Sequence, residues 1–347
     1  MLTTIAVVPR ERFRPLPESL TSLFATIPPN VPVIVVDGGA PESIRAELRE
    51  IRKARDFDLV ESADFILPNE ARNVALDRVR TKYVVFCDND LSYEEGWLEA
   101  LERNAVQNGS AAVCPVTLIG PSRPPRIHHA GGTFLLRVDS EGRRRLEDHH
   151  HLENVSLPDA EARDSQLGPL EHQNFEYHCV MVDTEMMRAV GGHDERLVMH
   201  EHLDSSLRLL LRGGRLTFEP AARVTYRAFV RFTRDDWPYF LFRWAIHRAV
   251  TSDRVFAENW GVYSDPTRTH RGWIKMHRDR AMSTALPRLP KALNRGKVRR
   301  LLLALYRPWV NRLDTRVPDR PDPHVPPAPP RDALQRIGIP PSLPRAS

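Results

Sequence analysis

A short apolar run that ends in two carboxylates constrains the fold of this chain more than any other feature. The run is Tyr83–Cys87, and Asp88, Asn89 and Asp90 follow it directly. Its β-branched and aromatic residues predict a buried strand. Because residues two apart in a strand face the same side, Asp88 and Asp90 should point the same way where the strand ends. Paired carboxylates there suit Mg²⁺ or Mn²⁺, although the same triplet is also common in surface turns.

Strand and helix patterns alternate from the N-terminus to Val116. Short apolar runs predict strands at Thr3–Val8, Val31–Val36, Lys82–Cys87 and Ala111–Val116. Helical periodicity predicts helices at Leu16–Ile27, Pro41–Arg55, Asn69–Arg80 and Tyr93–Gln107. This alternation predicts an α/β fold whose mostly parallel sheet is flanked by helices. Ligands of such sheets bind at the carboxyl ends of the strands, where Asp88 and Asp90 lie.

The middle of the chain departs from this pattern. Residues 118–175 are rich in proline, arginine, histidine and acidic residues, which predicts an irregular insertion with a hairpin around Gly132–Arg137. The run His149–His151 is interpreted as a solvated loop, because no carboxylate or cysteine spacing supports a metal site. Regular structure is expected again from Phe175, including a helix at His200–Arg212.

The C-terminal third is expected to form a helical extension, residues 231–312, followed by a tail. A long helix is predicted at Asp235–Phe256, and a basic amphipathic helix at Lys297–Arg312. Residues 313–347 are so rich in proline that a flexible or extended tail is expected.

Composition excludes several kinds of protein. The 347 residues are 41% hydrophobic and 27% charged, as in an ordinary folded chain. Because Cys87, Cys114 and Cys179 are far apart, neither a disulfide framework nor a zinc knuckle is expected, and a reducing, cytoplasmic location is favoured. The N-terminus lacks a signal-peptide pattern, and no apolar run approaches the ~20 residues of a membrane span.

Positive charge concentrates after Arg223 and contributes to a net charge of +5. No nucleic-acid-binding motif accompanies it, so nucleic acid is not expected as a partner. The basic helix Lys297–Arg312 could instead lie peripherally on the inner face of an anionic membrane, or pack against a second copy in a homodimer.

Several other polar groups stand at the ends of predicted elements. Each has an ordinary structural interpretation when it is taken alone, as a turn, a helix cap or an ion pair. These groups are Arg10 and Glu11 after the first strand, Asp37 before two glycines, Arg72 and Asn73 in the first turns of a helix, and Glu201, His202 and Asp204 at the start of another.

The order of these pieces resembles the family 2 glycosyltransferases, which have the nucleotide-diphospho-sugar transferase (GT-A) fold. The resemblance covers about residues 3–230, and it implies a catalytic domain over 1–230. It rests on the segments Thr4–Pro9, Val33–Gly39, Asn69–Asn73, Tyr83–Leu91, Gly96–Leu98, His129–Gly132 and Gly191–Glu219.

The resemblance implies a role for each matching residue. It assigns Pro9, Arg10 and Glu11 to the first nucleotide-binding loop, and Asp37 to reading the base. It assigns Arg72 and Asn73 to supporting the nucleotide and diphosphate. It places Asp88 and Asn89 on the donor, with Asp88 on its ribose side, and makes Asp90 a ligand of Mn²⁺ or Mg²⁺, with Asp88 counted as a second ligand.

Two departures from the family pattern leave alternatives open. Where the family reads E-D-x-D with the second residue as base, this chain has Glu201-His202-Leu203-Asp204, so either His202 or Glu201 could serve, with Asp204 beside them. Loss of activity, or a retaining mechanism without such a base, is a third reading. The family's downstream histidine ligand is missing from Val224–Arg227; His178 or His247 could replace it, or water and diphosphate could.

The resemblance implies a metal-dependent, inverting glycosyltransferase that uses a nucleotide-diphosphate sugar, with UDP favoured. Its acceptor would be a hydroxyl of a glycan, a glycolipid or another small molecule. A nucleotidyltransferase is the alternative enzyme, but the loop Pro9–Phe13 lacks the glycines that such enzymes carry. A non-catalytic sugar-binding relative is the third hypothesis. Aromatics and arginines within Phe229–Trp260 suggest either an acceptor platform or a helix packed on the domain.

Overall fold

The computed structural model describes residues 1–228, 232–285 and 321–339, with scattered positions between 296 and 308 and at 341–342. The strands are β1 (Thr3–Val8), β2 (Val33–Val36), β3 (Asp58–Val60), β4 (Tyr83–Asp88), β5 (Leu91–Tyr93), β6 (Ala112–Ile119), β7 (Arg126–His129), β8 (Gly132–Val138), β9 (Arg144–His150), β10 (Glu171–His172), β11 (Cys179–Asp183), β12 (Leu216–Tyr226) and β13 (Pro341–Ser342). The α-helices are α1 (Leu16–Thr26), α2 (Glu42–Ala54), α3 (Pro68–Arg78), α4 (Trp97–Asn108), α5 (Leu157–Arg163), α6 (Thr184–Ala189), α7 (Glu201–Leu211), α8 (Trp237–Arg243), α9 (Ile246–Trp260), α10 (Pro266–Arg268), α11 (Lys275–Ala285) and α12 (Ala333–Arg336).

A central mixed sheet carries the fold, with the strand order β10-β12-β6-β11-β4-β1-β2-β3. Strands β3, β2, β1 and β4 run parallel, as do β6 and β12. Strand β11 lies antiparallel between β4 and β6. Because of this reversal, the residue before β11 reaches the edge at which β4 ends. The predicted α/β fold with a helix-flanked sheet is confirmed.

Both faces of the sheet are buried, which explains why its strands read as continuous apolar runs. Val85 and Met181 pack on one face, and Val84 and Val182 on the other. These four side chains are inaccessible to solvent. The polar residues that follow the strands are therefore held on a rigid base.

The 118–175 insertion is more regular than its composition suggests. Strands β8 and β9 form the expected hairpin, with Gly132 paired to His150. His149 and His150 end β9, so the expectation of a loop is wrong for these two residues, although His149 is exposed. Alternation along β8 buries Phe134 and Leu136 in a third apolar cluster beside α7 and α9. The hairpin thereby becomes one wall of the space above the sheet edge.

The long helix expected at Asp235–Phe256 is interrupted. Backbone angles leave the helical region at Trp244 and Ala245, which separate α8 from α9. Arg248 donates to the carbonyl oxygen of Phe242, and Arg278 donates to that of Trp244 at 3.0 Å. Two buried guanidinium groups thus donate hydrogen bonds to carbonyl oxygens at the helix break. Helical periodicity in the sequence does not indicate these contacts.

The proline-rich C-terminal segment packs onto the domain over residues 321–339 instead of extending freely. The backbone N–H of His324 donates to Glu195 at 2.9 Å, and Arg208 donates to the carbonyl oxygen of Pro327 at 2.7 Å. Leu334 and Ile339 are buried with Leu207 of α7. The composition signals little apolar content, but it does not show that the few apolar residues meet an apolar helix face. Most of the predicted helix Lys297–Arg312 lies outside the described residues.

In the part of the chain that the structure describes, no helix is both long enough and apolar enough to cross a bilayer.

We predict that Leu334→Ala destabilises this docking by about 2 kcal/mol, the lower end for a buried leucine. The matched control is Gln335→Ala, because Gln335 is exposed on the same helix. Denaturant titration and the rate of proteolytic cleavage within residues 321–339 measure the effect. Equal cleavage rates in the two variants would contradict the packing.

Candidate active site

A cavity of about 580 Å³ opens above the carboxyl edge of the sheet. Its walls come from the loop after β1, from β9, from the start of α7 and from residues 262–281. Arg10 and Glu11 line it on one side, and His150, Glu176 and His202 line it on another. The sheet edge therefore meets a partly open cavity large enough for a small-molecule ligand.

Asp88 is the most heavily contacted carboxylate of the site. It is 2% exposed and accepts from Arg10 at 3.0 Å and from Arg72 at 3.5 Å, and its Oδ2 lies 3.2 Å from Nδ1 of His178. Burial raises the pKa of Asp88, but the charge of Arg10 and the bond to His178 lower it to about 2. The side chain is therefore an anion at neutral pH.

Asp90 is the opposite case, since it is buried without compensation. It is fully buried, and neither of its carboxylate oxygens has a hydrogen-bond partner among the described residues. Burial raises the pKa of Asp90 to about 7, despite the opposing charge of Arg10. Unpartnered buried carboxylate oxygens are costly, and a cation would satisfy them.

A divalent cation fits the residues around Asp90. Ligand atoms of Asp88, Asp90 and His178 all lie within 4.8 Å of one another. Two carboxylates and one imidazole are a donor set that suits Mn²⁺, and also Mg²⁺ through the carboxylates. The predicted cluster of Asp88 and Asp90 at the strand end is thus present as a possible metal site.

His178 reaches this cluster because β11 is antiparallel. Its carbonyl oxygen accepts from the N–H of Asp88 at 2.9 Å, which continues the pairing of β11 with β4. Tyr226, within the stretch Val224–Arg227, packs against His178 with ring centroids 4.2 Å apart and ring planes tilted by 36°. His247 is exposed on α9, so of the two candidates only His178 joins the cluster.

The loop after β1 is shaped by Asn89. The Asn89 side chain accepts from the N–H of Arg10 at 3.2 Å and donates to the carbonyl oxygen of Arg12 at 2.8 Å. Pro9 packs so closely on Gly38 that a Cβ there would lie 2.4 Å from the Pro9 ring. Glu11 lines the cavity; burial raises its pKa, but Arg10 and other cations lower it below the usual value. Asn89 thus organises the loop rather than facing the cavity.

Asp37 is engaged at both carboxylate oxygens. Oδ1 accepts from the N–H groups of Gly39 at 3.0 Å and Ser62 at 2.8 Å, and Oδ2 accepts from Arg45 at 2.6 Å. The side chain therefore holds the loop after β2 in this structure. A ligand that bonded Asp37 would have to share or replace these contacts.

Arg72 and Asn73 have different surroundings although they are adjacent. Arg72 is buried, donates to Asn69 at 2.9 Å and lies 3.8 Å above the ring of Tyr177, on the Asp88 side. Asn73 donates to the carbonyl oxygen of His193 and accepts from its N–H, both at 2.9 Å. Arg72 thus supports the charged site, whereas Asn73 joins α3 to the segment before α7.

The three candidates on α7 separate in the structure. Glu201 and His202 line the cavity, and Arg243 donates to Glu201 at 3.1 Å. Asp204 is 1% exposed and accepts from Arg208 at 2.6 Å and from Trp260 at 2.8 Å. Its carboxylate is occupied in attaching α9 to α7, so Asp204 is a packing residue here rather than a group that meets a substrate.

His202 belongs to a cluster that no sequence pattern indicated. Its Nε2 lies 3.8 Å from Asp148 and 3.7 Å from Glu176, and His150 approaches the same two carboxylates. Burial lowers the pKa of His202, but the carboxylates of Glu176 and Asp148 raise it to about 9. Glu176 was detectable only as a polar residue two positions before His178, a spacing that places both at the same edge.

The aromatic residues of 229–260 that the structure describes mostly pack into the domain. Trp237, Tyr239 and Phe240 are buried in the main apolar cluster, which favours the packed-helix interpretation. Arg231 lies outside the described residues. Phe232, Phe240 and Trp244 also line the cavity, as do two more exposed rings, Tyr263, 38% exposed, and Trp273, 46% exposed.

We predict that Asp90→Asn stabilises the metal-free protein above pH 7. The folded-state pKa of Asp90 is raised from 3.8 to about 7, so stability without metal falls as pH rises across that interval, and the amide removes this loss. In EDTA at pH 8, the midpoint temperature of thermal unfolding should be about 3 °C or more higher in the variant than in the native chain. Mn²⁺ should stabilise the native chain but not the variant.

The control for that experiment is Asp77→Asn, since Asp77 is exposed on α3. It should follow the native chain at every pH and keep its response to Mn²⁺. A Mn²⁺ response that survives Asp90→Asn would count against the assignment of Asp90.

Sequence comparison matches the part of the chain that carries Arg10, Asp88 and Asp90. Residues 4–157 match the model of "Glycosyl transferase family 2". A pre-mycofactocin glycosyltransferase of Mycobacterium tuberculosis is 26% identical over 196 residues, which is 56% of this chain and 37% of that protein. The chain therefore aligns with little more than a third of this relative.

Two solved structures have the same architecture. GalNAc-T7, crystallised with UDP, GalNAc and Mn²⁺, superposes with a TM-score of 0.52 at 14% identity over 88% of this chain and 54% of its own. The mannosyltransferase PcManGT of Pyrobaculum calidifontis, in complex with GDP-Man and Mn²⁺, gives 0.50 at 15% identity over 90% and 84%. The chain has the GT-A fold, and its residues 4–157 are similar to glycosyl transferase family 2.

Proposed function

We propose that this protein is a metal-dependent, inverting glycosyltransferase that moves a sugar from a nucleotide-diphosphate donor to an acceptor hydroxyl. The observation that carries the proposal is Asp90, a buried carboxylate with no hydrogen-bond partner among the described residues, beside Asp88 and His178 at the sheet edge. The family match and the metal-bound complexes of the structural neighbours support it.

Asp88, Asp90 and His178 would hold the cation, Mn²⁺ or Mg²⁺. When bound, it would offset the negative charge that develops on the departing diphosphate. The protein supplies the preorganisation, because Arg72 and the pairing of β4 with β11 fix two of the three ligands before a donor arrives.

Arg10 is the residue that would respond to the donor. Its guanidinium contacts Asp88 and His178, lies 4.6 Å above the ring of Tyr226 and lines the cavity. A cation between the two ligands would repel this guanidinium, and a diphosphate would attract it. Arg10 would then pair with phosphate oxygens, which is the role that the family resemblance implies for this loop.

Glu201 is the better candidate for the base. The carboxylates around His202 hold its pKa near 9, so that imidazole is already protonated at neutral pH and is a poor acceptor. Arg243 donates to Oε1 of Glu201. Among the described residues, this leaves Oε2 to accept the hydroxyl proton. The acceptor oxygen would attack the anomeric carbon of the donor sugar, and its proton would pass to Glu201 as the nucleotide diphosphate leaves.

The acceptor would lie between Glu201 and the rings at the outer wall of the cavity. Trp273 and Tyr263 present exposed aromatic faces, which suit sugar rings. Arg145 lies 4.8 Å from the Tyr263 ring, so this wall also carries positive charge. A carbohydrate or lipid-linked acceptor is consistent with that surface.

Donor class is tested by calorimetry with UDP, GDP, dTDP and CMP, with and without Mn²⁺. We expect one diphosphate, UDP by preference, to bind only with Mn²⁺, and binding to weaken by about 100-fold in Asp90→Ala because the ligand set is broken. Asp77→Asn is the control and should bind as the native chain does. Failure of every nucleotide to bind would favour the non-catalytic alternative.

The base is tested by Glu201→Gln. We expect kcat to fall by about 10²–10⁴ with nucleotide affinity unchanged, since general-base catalysis contributes on that scale. Glu258→Gln, on the exposed face of α9, is the matched control. Full turnover of Glu201→Gln, or a product with retained anomeric configuration by NMR, would overturn the inverting mechanism with Glu201 as base.

A further inference from the structure

A second group of metal-ligand side chains lies in the wall of the cavity. It consists of Asp148 and His150 at the end of β9, Glu176 before β11, and His202 in the first turn of α7. All four line the cavity. Three separate parts of the chain thus bring two imidazoles and two carboxylates to one point.

The spacing of Asp148, His150 and His202 is near that of a coordination shell, and Glu176 lies beside both imidazoles. Nε2 of His150 lies 2.9 Å from Asp148 Oδ2 and 3.5 Å from Glu176 Oε1, and Nε2 of His202 lies 3.8 Å and 3.7 Å from the same atoms. Ligand atoms around a tetrahedral Zn²⁺ with bonds near 2.0–2.1 Å are about 3.4 Å apart. Ligand atoms of Asp148, His150 and His202 are all within 4.8 Å of one another.

The orientation of the imidazoles also favours a metal. Both Nε2 atoms are buried, and neither makes a hydrogen bond of good geometry to any described residue. Hydrogen bonding would align a histidine with one carboxylate oxygen, whereas here each nitrogen faces two carboxylates at once. The two imidazole nitrogens thus lie between the carboxylates of Asp148 and Glu176.

We propose that Asp148, His150, Glu176 and His202 bind a divalent transition metal of the Zn²⁺ class, at a site separate from that of Asp88 and Asp90. Two imidazole nitrogens with carboxylates suit Zn²⁺ and its neighbours in the first transition row better than Mg²⁺ or Ca²⁺. The position of His202 on α7, next to Glu201, places this metal on the acceptor side of the cavity. The proposal does not depend on the identity of the donor.

The site faces solvent through one ligand. The side chain of Asp148 is 34% exposed, whereas those of His150, Glu176 and His202 are 12–18% exposed. Catalytic zinc sites keep one coordination position open for water or substrate. Here that position would become free if the exposed Asp148 carboxylate left the metal. An oxygen of the acceptor could bind at that position, adjacent to the candidate base.

The experiment uses the 347-residue chain carrying Asp90→Ala, so that the first site cannot contribute. After EDTA treatment and dialysis, Zn²⁺ alone is titrated by calorimetry, and Co²⁺ is used as a spectroscopic substitute. We expect one equivalent of Zn²⁺ to bind, and Co²⁺ to give the intense visible bands of low coordination. Adding His150→Ala or His202→Ala should weaken binding by about 100-fold.

The matched control is His149→Ala in the same background. His149 is exposed and lies next to His150, so it reports on adventitious binding to the histidine run. Circular dichroism of each metal-free variant separates loss of a ligand from loss of the fold. Absence of stoichiometric Zn²⁺ binding, or equal weakening by His149→Ala and His150→Ala, would overturn the proposal. Neither result would bear on nucleotide binding, which tests the proposed function separately.

Discussion

The carboxylate of Asp88 is the contact on which the rest of the site depends. It joins three parts of the fold, because Arg10 follows β1, Arg72 belongs to α3 and His178 precedes β11. A buried ion pair is costly to break from one side, since the remaining charge then has neither water nor partner. Asp88 thereby fixes the geometry in which Asp90, its neighbour two positions on, is left uncompensated.

The contrast between the two carboxylates explains how the site can bind a cation. Asp88 is satisfied by the protein and stays ionised, whereas Asp90 has no partner among the described residues and resists ionisation. A cation would repay the cost of burying Asp90, and metal binding is therefore coupled to proton release. In the cavity wall, neighbouring carboxylates raise the pKa values of His150 and His202 instead, so these imidazoles favour the protonated form.

The local sequence pattern was sufficient to predict features that depend on residues close together in the chain. The β-branched and aromatic run before Asp88 predicted a buried strand, and alternation of short strands with helices led to the α/β fold. The insertion was harder to read, because the strands β8 and β9 are polar on one face. The break between α8 and α9 was missed for a similar reason, since its carbonyls are bonded by Arg248 and by Arg278, which is more than thirty residues from the break.

The sequence by itself determined the strand that ends at Asp88, the two carboxylates two residues apart and the order of motifs that resembles family 2 glycosyltransferases. Only the tertiary structure decided which polar residues meet. The reversal of β11 brings His178 and Glu176 to the sheet edge, and the β8–β9 hairpin brings His150 to His202. The packing of α9 on α7 also directs Asp204 inward, where it accepts a hydrogen bond from Trp260. These outcomes depend on strand direction and on contacts between distant segments, which no short window of sequence encodes.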